Sequence, residues 1–533
     1  MQTRHVNFSS PPFNQMPLPD MLLKLRAFII AQTPEVMSHR RLACWLFLRV
    51  LGVIFIIANL SLLVQVQGLI GEQGIAPARQ LLDQIAQQTE GIRWIQYPTL
   101  CWISASDVAL RALCIIGILA GLLLAVGCWP WLSCFTCWIA YLSLCTVSQQ
   151  FLGFQWDNLL LETAGCALFL IPLTSVRPRG LLTFRYHRLG LILLHVLLFK
   201  LMVSSGAVKL SSEDPAWRDG TALTYHYETQ PLPIWIAWHA HQAPKGVHAF
   251  SQIVMYVIEL VLPVLIFLPR RFRLVSAISM IGLMLLIMLT GNYTFFNLLA
   301  IALCLLLIDD RSFARIRKLR DLLKERKIYR APKGTRITRQ AIGWPLAIWI
   351  ILISTLQTVG ACNRAYTWKH WPKPIQLSWR NTAQFRSLSP YGLFAVMTKE
   401  RPEIIIEGTE DGVTWLPYGF KYKPGHLDRR PGLVAPHQPR LDWQMWFASL
   451  SYEYPRPWRA QPWMLPLVID LLEGQSTVLN LLDYNPFPDQ PPKRIRALVY
   501  RYEFTTPEER ALSGDWWKRS FVKVYLPEVQ LNP

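Results

Sequence analysis

The 533-residue chain has no glycine-rich phosphate loop, no G-x-S-x-G elbow and no H-E-x-x-H pair. A bound phosphate needs converging backbone N–H groups, a serine nucleophile needs a strained turn, and catalytic zinc needs two imidazoles on one helix face. Without those patterns, a soluble-type hydrolase is set aside. Cysteine is missing from Asn363–Pro533, so no disulfide framework staples that part even in an oxidising compartment. The other cysteines lie in or beside apolar segments. Cys134 and Cys137 have redox or metal spacing, but their helix carries no charge to form a thiolate, and they read as core. No internal repeat is visible, which weighs against an inverted-repeat transporter. The first 40 residues show no cleavable signal. Their one apolar patch, Met21–Gln32, is too short to span and lacks a small-residue cleavage site; it is expected to be an interfacial helix, with the first span as an uncleaved targeting signal.

Hydrophobic residues make up 52% of the chain, with 22 Trp and 24 Phe, and the mean hydropathy is +0.24. That composition belongs to a membrane protein. The net charge of +20 lies in short connections between apolar runs, as the positive-inside rule requires, rather than on a phosphate-binding face. No nucleic-acid partner is expected.

A spanning helix needs about 20 apolar residues. About nine segments qualify, and eight to ten fit: 42–63, 108–126, 129–147, 158–173, 189–207, 250–268, 274–289, 295–308 and 342–361. The fourth and eighth are short. Lys24, Arg26, Arg40 and Arg41 precede the first. Arg177, Arg179, Arg185 and Arg188 lie between the fourth and fifth, and "PRRFR" (269–273) between the sixth and seventh. The connection 309–340 holds 12 Lys/Arg against 4 Asp/Glu. All four clusters fall on one side in a nine-span chain, which predicts a cytosolic N-terminus and a non-cytosolic tail.

The expected organisation is therefore a cytosolic segment 1–41, a transmembrane helical core 42–362 and a C-terminal β-rich, β-sandwich-like extramembrane domain 363–533. "RPEIIIEGTEDGVTWLPYGFKYKPG" (401–425) combines a β-branched run with a turn at Asp411-Gly412. "RIRALVYRYEFTT" (494–506) alternates over its second half, and a short helix is expected near 466–482.

Polar chemistry gathers at the outer boundary. "FQWDNLLLE" (154–162) opens the fourth span and contributes Gln155, Trp156, Asp157 and Glu162 to an expected outward-facing pocket. The connection "SSGAVKLSSEDPAWRDGTALTYHYETQPLPIW" (204–235) contributes Lys209, Trp217, Asp219, Tyr225, Tyr227 and Glu228. "GNYTFFN" (291–297) contributes Asn292, Tyr293 and Asn297, and Glu259 lies a few turns into the sixth span. A carboxylate within a span normally faces protein or a wet cavity, so Glu162 and Glu259 are expected to line the pocket, with Lys209 as partner to one of them. The bland alternatives are inter-helix hydrogen bonds for the acids and a snorkelling lysine. His239 and His241, with His226 and His248, lack a completing ligand set, so neither metal nor cofactor is expected.

Six stretches, "FQWDNLLLE", "WRDGTALTYHYETQPLP", "GNYTFFNLL", "RPEIIIEGTEDGVTW", "RRPGLVAPHQPRLDWQMWFA" and "NPFPDQPPKRIRALVYRYEF", together resemble the lipase maturation factor family. Its animal members are endoplasmic reticulum membrane proteins needed for secreted lipases of the lipoprotein lipase type to fold and assemble. The resemblance implies a chaperone-like maturation role toward a secreted lipase or, in a bacterial inner membrane, another exported client. Trp415, Trp443 and Trp446 of the outer domain are candidate client anchors, or simply its core. "SSGAVKLSSEDPAWRDG" is also similar to the segment around the catalytic lysine of vitamin K-dependent γ-glutamyl carboxylases and their bacterial membrane relatives. That similarity implies an alternative, a membrane enzyme acting on a lipid or quinone-like substrate with Lys209 as base. A transporter or lipid-handling protein using the same pocket is the third reading.

Overall fold

The computed structural model describes residues 40–88, 93–173, 186–313 and 333–531, the side chains of 333–340 excepted. The expected interfacial helix 21–32, Lys24, Arg26, Arg177, Arg179 and Arg185 lie outside them, as does most of the basic connection after the eighth span.

Among the described residues, nine helices carry the apolar segments: α1 (Arg41–Leu63), α2 (Asp107–Val126), α3 (Pro130–Val147), α4 (Gln155–Leu170), α5 (Arg188–Ser211), α6 (Lys245–Tyr256), α7 (Arg270–Thr290), α8 (Phe296–Leu305) and α9 (Lys333–Cys362). By length and composition, seven helical stretches among the described residues can cross a bilayer; α6 does so together with the turns that follow it. The two that fall short are α4, with 16 residues, and α8, with 10. They are also the most interior. Both lie among the other helices, where length need not match the hydrocarbon thickness.

Local chemistry sets the helix ends. Ser106 caps α2 by accepting the Ala109 N–H, and Gly127, at φ +91, closes it in the left-handed conformation that glycine adopts freely. The start of α1 is capped from afar, because the Asp310 carboxylate accepts the N–H groups of Arg41 (3.0 Å) and Leu42 (2.9 Å). An acid there satisfies orphan donors and meets the positive end of the helix dipole. Arg270 pairs with Asp309 at 2.6 Å at the same end of the bundle. The α1 start, the α6–α7 connection and the segment after α8 are thus gathered at one end, as the charge alternation predicts. Small residues let α1 and α2 touch backbone to backbone: a Cβ on Gly52 would stand 2.5 Å from the Ala125 nitrogen.

After α9 the chain builds strands in two antiparallel sheets. Strands β1 (Arg401–Thr409), β2 (Leu416–Pro417), β5 (Arg494–Phe504) and β6 (Trp517–Val529) form one, in the order β2-β1-β5-β6. Strands β3 (Gly419–Phe420) and β4 (Leu482–Tyr484) form the other. The β1–β5 ladder runs unbroken from Arg401 opposite Tyr502 to Thr409 opposite Arg494. The turn expected at Asp411-Gly412 is present: Asp411 accepts the N–H groups of Val413 and Thr414, and Gly412 has φ +79. Helices α10 (Arg440–Ser449) and α11 (Met464–Leu472), with the shorter turns Pro457–Ala460 and Ser476–Leu479, lie between β3 and β4 in the chain. One continuous apolar core runs from Phe55 in α1 through Leu160 in α4 to Ile404, Trp443, Leu467 and Val499. The β-rich part therefore rests on the helix ends opposite that basic end, joined to them by shared apolar packing.

Candidate functional site

Among the described residues, three buried ion pairs that involve the helices lie at or below the end bearing the sheets, beside a cavity. The first pair joins the two parts of the chain. At the head of α4, Asp157 is fully buried, and Arg440 at the start of α10 holds it with both terminal nitrogens, at 2.7 and 2.8 Å. Tyr141 of α3 donates its hydroxyl to the same carboxylate at 2.6 Å, and the Phe154 N–H adds a fourth bond. A charge this deep is tolerated because its lone pairs are satisfied and its partner is bidentate.

The second pair lies further along α4. Glu162 accepts from Lys200 of α5 and from the Tyr391 hydroxyl, each at 2.5 Å, and from the Ser389 N–H at 3.2 Å. Lys200 reaches Gln357 of α9 as well. Sequence offers Lys209 to either acid and gives no sign of Lys200. Helix geometry explains the actual division, since nine residues at 3.6 per turn place Lys200 and Lys209 about half a turn apart on α5. One faces α4 and α9; the other faces α6.

The third pair is Lys209 with Glu259, 2.6 Å apart and buried. Glu259 is carried on a π-helical turn, Val257–Val261, that follows α6 and leads into the 3-10 turn Leu262–Phe267. Pro263 has no N–H to continue the regular ladder, so a change of winding here has a local cause. Gly206 of α5 makes the close approach possible: a Cβ there would stand 2.7 Å from Leu260 Cγ and 3.1 Å from Glu259 Cβ. The Lys209 ammonium lies 5.6 Å from the Trp217 ring centroid.

Lys209, Trp217, Tyr227, Glu259, Tyr293 and Asn297 all line one cavity of about 530 Å³. His226 lines it too, 3.2 Å from the Tyr293 hydroxyl, which also donates to Gln230. Burial, with the nearby Lys209 charge, pushes the His226 imidazole down to about 4, so it is uncharged at neutral pH. The remaining walls are mainly aliphatic and aromatic.

The other residues expected in the pocket are placed elsewhere. Gln155 accepts the Gly392 N–H, and Trp156 stacks on Phe154 and meets Trp443 edge-on. Asp157 and Glu162 serve the first two pairs. Asp219 is exposed, and Tyr225 packs beside Trp217 and Met397. Glu228 accepts the Phe504 N–H at 2.7 Å. Asn292 bonds Leu232 and Gly432 carbonyls and accepts from Val434 and Ala435. Those contacts stitch the 204–235 connection and the α7–α8 turn to the tail. Arg401 adds to them, donating to the Glu228, Gln230 and Pro231 carbonyls. Of the three candidate anchor tryptophans, Trp443 and Trp446 are only 3% and 6% exposed and pack inside the molecule. Trp415 is half-buried beneath the Arg496 guanidinium. Among the described residues, no group of three or more His, Cys, Asp or Glu could hold a metal ion.

These features define an integral membrane protein: a helical bundle capped by strands in antiparallel sheets, with buried ion pairs at the join. Residues 42–315 match the family model described as "Lipase maturation factor transmembrane domain", and residues 387–527 match "Lipase maturation factor C-terminal domain". The chain belongs to the lipase maturation factor family. It is 35% identical to "Lipase maturation factor 2" of Homo sapiens, covering 93% of this chain and 84% of that one. It is 33% identical to "Lipase maturation factor 2" of Gallus gallus (91% and 81%) and 32% identical to "Lipase maturation factor 1" of Bos taurus (90% and 87%). No solved structure matches it.

Proposed function

We propose that this protein is a membrane-held maturation factor whose outer, β-rich part meets exported clients, lipases among them, while they fold. The family match over both parts of the chain carries this reading, and the relatives' names give the client class. Orientation supports it. The described members of the basic clusters, such as Arg40, Arg41, Arg188 and Arg270, lie at the end opposite the sheets, and the positive-inside rule then favours sheets outside the cytosol. The client surface on this reading is not Trp443 or Trp446 but side chains that remain exposed on the tail, such as Tyr454, Tyr484 and Phe521.

The test is to co-express a secreted lipase with the full chain in cells lacking any relative and to measure the specific activity of the exported enzyme. A rise that depends on the chain, with chemical cross-links between the lipase and the tail, is the expected result. Unchanged lipase activity, or a tail digested by protease added from the cytosolic side, overturns the reading. The enzyme alternative, with Lys209 as base, requires the amine to leave Glu259 first.

A further inference from the structure

The cavity beside Lys209 has a feature that neither the ion pair nor the client role uses. Asn297, near the start of α8, lines it and is 1% exposed. Neither its side-chain oxygen nor its side-chain nitrogen has a hydrogen-bond partner among the described residues. A buried amide left unpaired is destabilising, so a ligand that completes its hydrogen bonds recovers that cost.

What completes it is constrained on three sides. The amide offers an acceptor oxygen and an NH2 group that donates, and a group with a hydroxyl to donate to the oxygen and a carbonyl oxygen to accept from the NH2 matches both. The charged groups lining the cavity are Lys209 and Glu259, which neutralise each other, and burial keeps His226 uncharged; there is no surplus charge to meet a phosphate or a free carboxylate. The way in is apolar. Phe250 of α6 and Leu286 and Leu289 of α7 line the cavity yet are 67%, 62% and 52% exposed, on two of the spans whose surfaces lie largely outside the protein. The mouth therefore opens sideways, toward hydrocarbon.

We infer that the cavity takes an uncharged acylglycerol from the surrounding membrane, its free hydroxyl and ester carbonyl on Asn297 and its chain passing out between α6 and α7. A volume of about 530 Å³ is in the usual range of small-molecule sites. Lys209 and Glu259 give the cavity a polar floor without net charge. The inference stands apart from the client reading, because binding is measured with no client present.

The test uses the full chain in phosphatidylcholine nanodiscs with a diacylglycerol bearing a photoactivatable diazirine on one chain. The expected result is labelling of cavity-lining residues of α6 and α7 that unlabelled diacylglycerol competes away. Asn297→Leu should weaken saturable labelling about tenfold, the scale of one lost hydrogen-bonded contact. If Asn297→Leu fails to fold, Leu286→Trp, on the exposed rim, carries the test and should reduce labelling by obstructing the mouth. Equal competition by phosphatidylglycerol, labelling that unlabelled diacylglycerol does not compete, or full labelling of a folded Asn297→Leu or of Leu286→Trp overturns the proposal.

Discussion

Arg440 and Asp157, 283 residues apart, form a bidentate ion pair in which neither side chain meets solvent. Removing one member leaves the other charged and buried, which costs about 3–5 kcal/mol, whereas replacing both with apolar groups is often neutral. Arg440→Gln or Asp157→Asn should therefore lower the melting temperature sharply in detergent. The double variant Asp157→Leu/Arg440→Met should recover much of that loss. Equal losses in single and double variants would mean that the pair is not the source of the stability.

Lys200 and Lys209 share a helix but serve separate pairs on opposite faces. Sites without common partners add to within about 0.5 kcal/mol. Lys200→Met and Lys209→Met should each destabilise the protein, and their combination should give the sum. A shortfall well beyond that margin would reveal a single coupled network instead.

The contact between α5 and the π turn depends on the missing side chain at Gly206. A Cβ 2.7 Å from Leu260 Cγ forces one element to shift. Gly206→Val should cost about 1–3 kcal/mol as overpacking, and should also separate Lys209 from Glu259. Thermal melting of this variant against Ser205→Ala, one residue away, distinguishes the steric effect from a general loss in the helix.

Burial raises the Glu228 carboxyl to about 7, from an ordinary value of 4.5. The Phe504 N–H and the Arg401 and Lys518 charges favour the anion, Glu503 opposes it, and His241 lies 3.8 Å away, itself pushed down by burial. A raised carboxyl holds its proton better folded than unfolded. Its contribution is thus complete below about pH 4.5 and declines as pH rises through about 7, by roughly 3 kcal/mol in all. Glu228→Gln should flatten the fall in melting temperature over that window. An identical pH profile for the variant would assign the dependence to other groups.

Sidedness has a chemical reporter already in the chain. Cys362, where α9 ends beside the tail, is exposed, while most other cysteines are buried and Cys128, between α2 and α3, is half-buried at the opposite end. A membrane-impermeant maleimide should modify intact vesicles through Cys362 only from the side bearing the sheets. Cys362→Ser should abolish that labelling.

The helical spans are legible in the sequence because the hydrocarbon core imposes a length and an apolar composition that a single chain displays directly. Strands β1 and β5 show through β-branched runs and alternation. Strand β6 does not: its first half, "WKRSF", places two basic residues in succession and breaks the period-2 pattern. The cavity residues Lys209, Trp217, Tyr227, Glu259, Tyr293 and Asn297 can be grouped from their shared depth along the spans. Which acid meets which base lies beyond that logic. Lys200 is a lone charge among leucines, and only the rotation of α5 against α4 shows that it faces Glu162. Arg440, in a loop-like run of prolines and aromatics, carries no local sign that it belongs to a carboxylate in the fourth helix.

The clasp also fixes an order of events during synthesis. Until the chain has been made as far as Arg440, Asp157 is an acid at the end of its helix with no counter-ion, and the apolar helix ends around it lie bare. A half-made molecule thus advertises its own incompleteness to whatever machinery surveys nascent membrane proteins, and the arrival of one arginine withdraws the signal.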